Sequence, residues 1–137
     1  MKRIATALVL VGVFVNIINA DEIKDPRSIL MGDMRTMLES MEQIQRGGLY
    51  SSKDEMEAGV KKLQGTIKSL ESENVKYILP KDQKYAYAFA QKSAKMLRLY
   101  SDDLLVSIEN GHMDDALEDY TQLLRQCTSC HIRIRNW

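Results

Sequence analysis

Apolar residues recur at helical spacing, three or four positions apart, in two segments of the first half of the chain. The first segment begins at Asp25-Pro26, an N-cap residue followed by proline at the first helical position, and ends at Gly47-Gly48. The second begins at Ser52, with Glu55 three positions later in the pattern of a capping box. The apolar stripes of these two predicted helices are Leu30, Met31, Met34, Met37, Leu38, Met41 and Ile44, then Met56, Val60, Leu63, Ile67 and Leu70.

A polar, irregular stretch from Glu71 to Pro80 separates these segments from two further ones. Asp82 is placed to cap a third helix, which Asn110-Gly111 ends, and a fourth helix follows. No segment alternates with period two for long enough to form a strand. The pattern predicts an all-α fold, an antiparallel up-down-up-down four-helix bundle. The later stripes are Ala86, Phe89, Ser93, Met96, Leu97, Tyr100, Leu104 and Ile108, then Met113, Ala116, Leu117, Tyr120, Leu123, Leu124 and Cys127.

Residues 1–20 have the pattern of a cleaved signal peptide. Lys2 and Arg3 precede an apolar run that ends at Ile18, and Ala20 is the small residue expected at a cleavage site. A membrane-spanning helix needs about 20 apolar residues, so the shorter run makes an uncleaved anchor the less favoured interpretation. We therefore predict export, in a bacterium to the periplasm.

Composition and charge exclude some classes of partner for the predicted mature domain, residues 21–137. The chain is 45% hydrophobic and 28% charged, which is ordinary globular usage. Its 19 basic and 19 acidic residues balance, so we expect no nucleic-acid partner, which would call for a basic face. No second long apolar run occurs, so we expect no membrane attachment after cleavage. We expect the mature protein to be either a monomer or a homodimer. In an oxidising periplasm, the two cysteines are not expected to remain free thiols.

Cys127, Cys130 and His131 form the C-x-x-C-H motif to which c-type haem is attached. Each thiol adds to one vinyl group of the porphyrin, and the histidine then binds the iron. Residues three and four positions apart lie on one side of a helix, which here continues the apolar stripe at Leu123 and Leu124. The sequence predicts one covalently attached haem c at the C-terminal end of the fourth helix, with His131 as the proximal iron ligand.

Other interpretations of the two cysteines are weaker. A thioredoxin-like enzyme needs a strand–helix context and a low-pKa thiol at a helix N-terminus, whereas these cysteines lie near a helix C-terminus. A disulfide between them closes a very small loop and adds little stability. A structural zinc ion needs four ligands. The other histidine, His112, lies roughly 28 Å earlier along the same predicted helix and is expected to be solvated.

With this motif at the C-terminus of an exported four-helix chain, the sequence resembles the class II c-type cytochromes. These comprise the high-spin cytochromes c′ and their low-spin, methionine-ligated relatives, and the resemblance covers about residues 22–137. It implies that Arg27, and Met31 four positions later, match an arginine and a distal residue of the family's first helix. It also implies that Arg135 matches a basic residue four positions after the haem histidine. Arg27 and Arg135 are then candidates for contacts with a haem propionate or the pocket.

Bundle geometry also favours Met31 as the distal iron ligand. In an up-down-up-down bundle, the end of the fourth helix lies beside the start of the first, and a thioether is a suitable soft ligand for haem iron. Met34 or Met37 is the alternative ligand, and in a third interpretation Met31 only packs over an open iron site. Candidate pocket walls are Tyr85, Tyr87 and Phe89. Arg133 is expected only to interact with the C-terminal end of the fourth helix, and Trp137 has no assigned role.

Two functions follow from the two states of the distal site. With His131 and a methionine bound, the protein is a one-electron carrier that serves periplasmic redox partners and is not an enzyme. With an open distal site, it is a five-coordinate, high-spin cytochrome c′ that binds or buffers nitric oxide or carbon monoxide.

Overall fold

The computed structural model describes residues 25–135, with side chains described through residue 134. Over that range the chain forms four α-helices and no β-strand, which confirms the predicted all-α class and is consistent with a four-helix bundle. No helix in the described range is long and apolar enough to cross a membrane. The predicted signal peptide, residues 1–20, lies outside the described residues. The helices are α1 (Pro26–Leu49), α2 (Lys53–Glu71), α3 (Ala86–Asn110) and α4 (Met113–Arg135), with a short 3₁₀ helix at Glu73–Tyr77.

Two predicted helix boundaries are confirmed. Asp25 precedes α1, and Pro26 is its first residue, where the missing N–H of proline removes no helical hydrogen bond. Gly111 ends α3 in the left-handed region, with φ of 75°, and its amide donates to the Ile108 carbonyl oxygen at 3.1 Å. Glycine adopts this conformation without the steric cost of a β-carbon.

Two predicted side-chain caps are not formed. Ser52 occupies the N-cap position of α2, as predicted, but its side chain accepts no capping hydrogen bond. Glu55 does not close a capping box either, because its carboxylate accepts a hydrogen bond from Arg46 Nε of α1 at 2.6 Å. The third helix begins at Ala86, four residues after Asp82, so Asp82 does not cap it. Glu55 therefore bonds to the neighbouring helix instead of to the start of its own.

Gly47-Gly48 does not end α1, which continues to Leu49. Gly47 is buried against α2, and a β-carbon there would lie 2.7 Å from Met56 Cγ. Gly59 of α2 is buried in the same interface, where a β-carbon would lie 2.8 Å from Ile44 Cγ1 and 3.1 Å from the backbone N of Ile44. These glycines allow the two helices to approach closely.

We expect Gly59→Ala to lower the free energy of unfolding by about 1–3 kcal/mol, because the added methyl group forces α1 and α2 apart. Chemical denaturation measures the change. Gly65→Ala is the matched control in the same helix, since nothing lies within 4 Å of a β-carbon there. That control is expected to gain up to about 1 kcal/mol from helix propensity. Equal effects at the two positions would contradict the close approach.

One apolar core runs between the helices, and α2 contributes its whole predicted stripe. Met56, Val60, Leu63, Ile67 and Leu70 are all buried. Five residues of the predicted α1 and α4 stripes are instead exposed to solvent by 44–65% of their surface, namely Met31, Leu38, Met113, Leu117 and Leu124. These residues are exposed because α1 packs closely on α2 and α4 packs closely on α3, whereas α1 and α4 contact each other little.

Side-chain contacts show which helix halves lie together. Asp33 near the start of α1 accepts a hydrogen bond from Ser69 near the end of α2. Arg98 of α3 forms two hydrogen bonds with Glu71, at 2.9 and 3.0 Å. The start of α3 also meets the end of α4, where the Cys130 thiol is hydrogen-bonded to Ser93. We call this group of helix halves the cysteine end.

The remaining helix halves form the far end. Arg46 of α1 pairs with Glu55 of α2, and Lys53 of α2 donates to the Glu109 carbonyl oxygen of α3 at 2.9 Å. Ser107 of α3 is hydrogen-bonded to Asp119 of α4. Between the two ends, the Tyr120 hydroxyl of α4 lies 3.5 Å from the Met41 carbonyl oxygen of α1.

Candidate haem-attachment site

Cys127, Cys130 and His131 all line one cavity at the cysteine end. They lie on consecutive turns near the end of α4, so the helix repeat directs all three side chains to one side, as predicted. Both cysteines are free thiols and both are partly buried. The motif residues therefore share one enclosed space.

The opposite walls of the cavity are apolar and include three methionines of α1. Met37 and Met41 are buried, and Met34 is half-buried. The wall formed by α3 consists of the small residues Ala90 and Ser93 together with Leu97, and α2 contributes Leu70. Small side chains on α3 leave room for a flat group beside the cysteines.

The cavity has a volume of about 220 Å³ and opens between α1 and α4. Ligand pockets usually measure about 300–1,000 Å³, so a macrocycle needs more room than this cavity provides. Leu38 and Leu124 line its mouth and are 61% and 46% exposed. Because these two leucines are held by little packing, they can turn outward without breaking the core.

Burial makes both thiols poor nucleophiles in this structure. It raises the pKa of Cys127 to about 11, with a smaller contribution from neighbouring Cys130. Burial also raises the pKa of Cys130, against the opposing effect of the hydrogen bond from Ser93. A catalytic thiol–disulfide exchange site requires the reverse, a pKa lowered toward neutrality. The environment of these cysteines argues against a thiol–disulfide enzyme.

The two α1 residues selected from the sequence lie outside this cavity. Met31 is 48% exposed and Arg27 is exposed. Arg27 borders a shallow depression with Tyr77 and Ile78, beside the 3₁₀ helix. A role for Met31 as iron ligand and for Arg27 as a pocket residue stays a prediction, whereas Met34, one turn after Met31, lines the cavity itself.

The remaining candidates lie around the rim or outside the described residues. The Arg133 guanidinium lies over the Phe89 ring, 4.9 Å from its centroid, beside an open depression of about 560 Å³. Tyr87 is half-buried under the Lys76 ammonium group. Tyr85 is almost fully exposed just before α3, and His112 is exposed as predicted. The side chain of Arg135 and the whole of Trp137 lie outside the described residues.

The donor set suits a covalently attached haem better than a bare metal ion. No group of three or more histidine, cysteine or acidic side chains that could hold a metal ion occurs among the described residues. Haem c needs fewer protein ligands, since two thioether bonds hold the porphyrin and one histidine binds the iron. Two thiols and one imidazole on an apolar cavity meet that requirement.

Sequence reasoning did not select Ser93 or Ala90 as site residues. Ser93 appeared in the α3 stripe, where a polar residue among apolar ones is the one signal that marks it. Its hydrogen bond to Cys130 lowers the pKa of that thiol, while Ala90 contributes only by being small. A small apolar residue at a stripe position does not by itself distinguish tight helix packing from a cavity wall.

Comparisons with protein-family models, with curated proteins and with solved structures each found no match to this chain. The C-x-x-C-H motif and the cavity that its residues line are therefore the features that bear on function.

Proposed function

We propose that the protein is an exported monohaem c-type cytochrome that carries one electron between periplasmic redox partners. We propose further that it belongs to the class II cytochromes, with the haem at the C-terminal end of α4 in an up-down-up-down antiparallel bundle. The contacts between helix halves at the cysteine end and the far end support this topology. The export signal of residues 1–20 supports the compartment, because haem c is attached outside the cytoplasm.

One observation carries the proposal, the convergence of Cys127, Cys130 and His131 on a single apolar cavity. A helix that exposed these side chains to water would leave a haem unprotected. Here, apolar side chains from the other three helices surround the space that the motif faces. Such surroundings exclude water, and a low local dielectric helps to set the reduction potential of a haem.

Each candidate site residue has a defined task in this proposal. When bound, haem supplies a one-electron ferric–ferrous couple. Cys127 and Cys130 would hold it covalently, and His131 would provide a nitrogen ligand to the iron. Met37 and Met41 would exclude water from the cavity, while Ala90 leaves room in it by being small. Arg135 and Arg27 remain candidates for charge pairing with propionates.

A methionine of α1 completes the iron coordination in the electron-carrier proposal. Met31 is the ligand expected from the sequence, but its exposure and its position outside the cavity favour Met34, which lines it. A thioether bound opposite a histidine raises the reduction potential and changes little on redox cycling. Both properties suit an electron carrier.

The apolar lining favours one second function, binding of nitric oxide or carbon monoxide at an open iron site. Among the side chains that line the cavity, methionine and leucine predominate. Such a pocket admits small uncharged ligands and stabilises no charged one. The choice between the two functions depends on whether a methionine binds the iron.

Optical spectra of the mature exported protein test both functions. We expect a c-type spectrum, low-spin when oxidised, with a methionine-to-iron charge-transfer band and little change on adding carbon monoxide to the reduced protein. Met34→Ala is expected to convert it to high spin and to allow carbon monoxide to bind, because the distal position becomes open.

Met31→Ala is the matched control, one turn earlier on the same helix. If this variant alone turns high-spin, then Met31 is the ligand, as the sequence predicted. A high-spin wild-type spectrum that shifts readily with carbon monoxide would instead establish the gas-binding function. A protein with no c-type spectrum after export would refute the cytochrome proposal itself.

A further inference from the structure

Charged residues divide sharply between the two ends of the helices. Residues 25–37, 61–98 and 125–135 form the cysteine end and carry 14 basic and 5 acidic side chains. Residues 38–60 and 99–124 form the far end and carry 2 basic and 12 acidic side chains. The formal charges of the two ends are therefore +9 and −10. The balanced total had suggested that no basic face exists, but the fold collects the basic residues at one end.

Helix stability does not explain this separation. Acidic residues near a helix N-terminus and basic residues near its C-terminus interact favourably with the helix dipole, and α4 follows that rule. Helix α3 has the reverse arrangement, with no acidic residue in its first turn and no basic residue in its last turn, so the dipole does not favour it. Its first half contains Lys92, Lys95 and Arg98, and its second half contains Asp102, Asp103 and Glu109. The dipole thus favours the placement of charges in α4 but not in α3. What the two helices share is that their basic halves lie at the same end of the molecule.

Much of the positive charge at the cysteine end is not neutralised by neighbours. Arg98 pairs with Glu71, and Lys76 pairs with Glu73. Nine exposed cations at this end form no ion pair with any described residue. They are Arg27, Arg35, Lys68, Lys81, Lys84, Lys92, Lys95, Arg125 and Arg133. Their potential extends into the solvent over about one Debye length, roughly 10 Å at 0.1 M salt.

Two of these cations flank the mouth of the cavity. Arg35 lies one helical turn before Leu38 on α1, and Arg125 directly follows Leu124 on α4. The mouth therefore combines two exposed leucines with two exposed guanidinium groups, and the neighbouring carboxylate of Glu39 is paired with Lys62. Apolar contacts at a centre with charges around them are typical of protein–protein interfaces, in which the charges orient the partner.

We propose that the cysteine end, up to the cavity mouth between Arg35 and Arg125, is the docking surface for a redox protein that presents an acidic patch. The negative far end repels the same partner, so the cysteine end faces it during the encounter. The inference rests on the proposed function, because an electron carrier must bring its haem edge close to a partner. Contact at the mouth places the partner beside the cavity that Cys127, Cys130 and His131 line.

A labelled polyglutamate peptide serves as the probe for the acidic patch, with binding to the mature protein measured by fluorescence anisotropy. We expect binding at low salt that weakens at least about tenfold at 0.3 M salt. Arg35→Gln with Arg125→Gln is expected to weaken binding about fivefold or more. The matched control, Arg46→Gln with Lys53→Gln, removes the same charge from the far end and is expected to change binding less than about twofold.

Three results would overturn the docking surface. Equal effects of the two double variants would show that only net charge matters. Tighter binding to phosphatidylglycerol vesicles than to the peptide would identify an anionic membrane as the target. A salt-sensitive dimer in analytical ultracentrifugation would identify the acidic far end of a second copy as the partner. Peptide binding is measured without the haem absorbance, so failure of this inference and absence of a c-type spectrum are separate outcomes.

A kinetic measurement connects the surface to electron transfer. When the reduced protein is mixed with ferricyanide, one electron passes to the oxidant, which becomes ferrocyanide. Cleavage of the signal peptide leaves 17 basic and 19 acidic residues, so net charge alone predicts that salt accelerates reaction with this anion. The docking surface predicts the opposite, a rate that falls several-fold as salt rises, and a rate that rises with salt would contradict it.

Discussion

Replacing Cys127 and Cys130 together with alanine is expected to give an exported protein that carries no covalent haem and melts at a markedly lower temperature. Both thioether bonds are lost, so a haem that enters the cavity leaves again on denaturation. The helices themselves should still form, because the buried apolar stripe of α2 is complete without the motif. The expected loss of stability therefore concerns mainly the packing at the cysteine end.

The cavity sets the size of the effect. A cavity that does not collapse costs roughly 24 cal/mol per Å³, which is about 5 kcal/mol for 220 Å³. Partial collapse of the exposed leucines at the mouth reduces this to about 3 kcal/mol. For a chain of this length, such a loss lowers the melting temperature by roughly 10 °C or more. Haem staining of a denaturing gel and a thermal melt followed by circular dichroism measure the two effects.

Ser129→Ala provides the matched control for the cysteine variant. Ser129 lies inside the same motif but is not among the residues that line the cavity. It should keep covalent haem and the wild-type melting temperature. An unchanged melt for the double cysteine variant would mean that the bundle core is complete without haem, and haem retained through denaturation would refute attachment at these two residues.

The second large effect is expected from Leu123→Ala, which should lower the free energy of unfolding by about 3–5 kcal/mol. Leu123 is completely buried on the side of α4 that packs against the rest of the core. Removing three carbon atoms there leaves space that the surrounding helices cannot close. Since domains of this kind are stable by only about 5–15 kcal/mol, the variant should be partly unfolded at moderate urea concentrations.

Leu117→Ala is the comparison that makes this test specific. Leu117 belongs to the same predicted stripe of α4, but its side chain is 65% exposed. The change is therefore expected to cost about 0.5 kcal/mol or less. Equilibrium unfolding in urea, read by circular dichroism, measures both variants. Similar costs at the two positions would contradict the difference in burial between them.

The helices and the chemistry of the motif could be predicted from local sequence. The repeat of apolar residues every three to four positions requires a helix wherever one side is buried, and all four predicted helices are present. The spacing of Cys127, Cys130 and His131 places them on one side of any helix, and the cavity confirms that they share it. Pro26 and Gly111 act through their own backbone preferences, which no neighbour needs to supply.

Residues whose roles depend on a second helix could not be predicted in this way. Gly47 suggests a helix end by its propensity, but its actual role is to let Met56 approach closely. Met31 and Met34 are equivalent in the repeat of α1, and only the position of α4 places Met34 on the cavity and leaves Met31 in solvent. Glu55 likewise bonds to Arg46 of the adjacent helix and not to its own backbone.

The sequence by itself determined four helices, one apolar face for each and a C-x-x-C-H motif on one side of the fourth, because these follow from a repeat that neighbouring residues along the chain impose. Only the tertiary structure decided which parts of each face are buried, which methionines line the cavity and that the basic residues gather at one end. The physical reason is that burial and electrostatic potential depend on distances between different helices. Those distances are set by how the helices pack, and a local repeat carries no record of them.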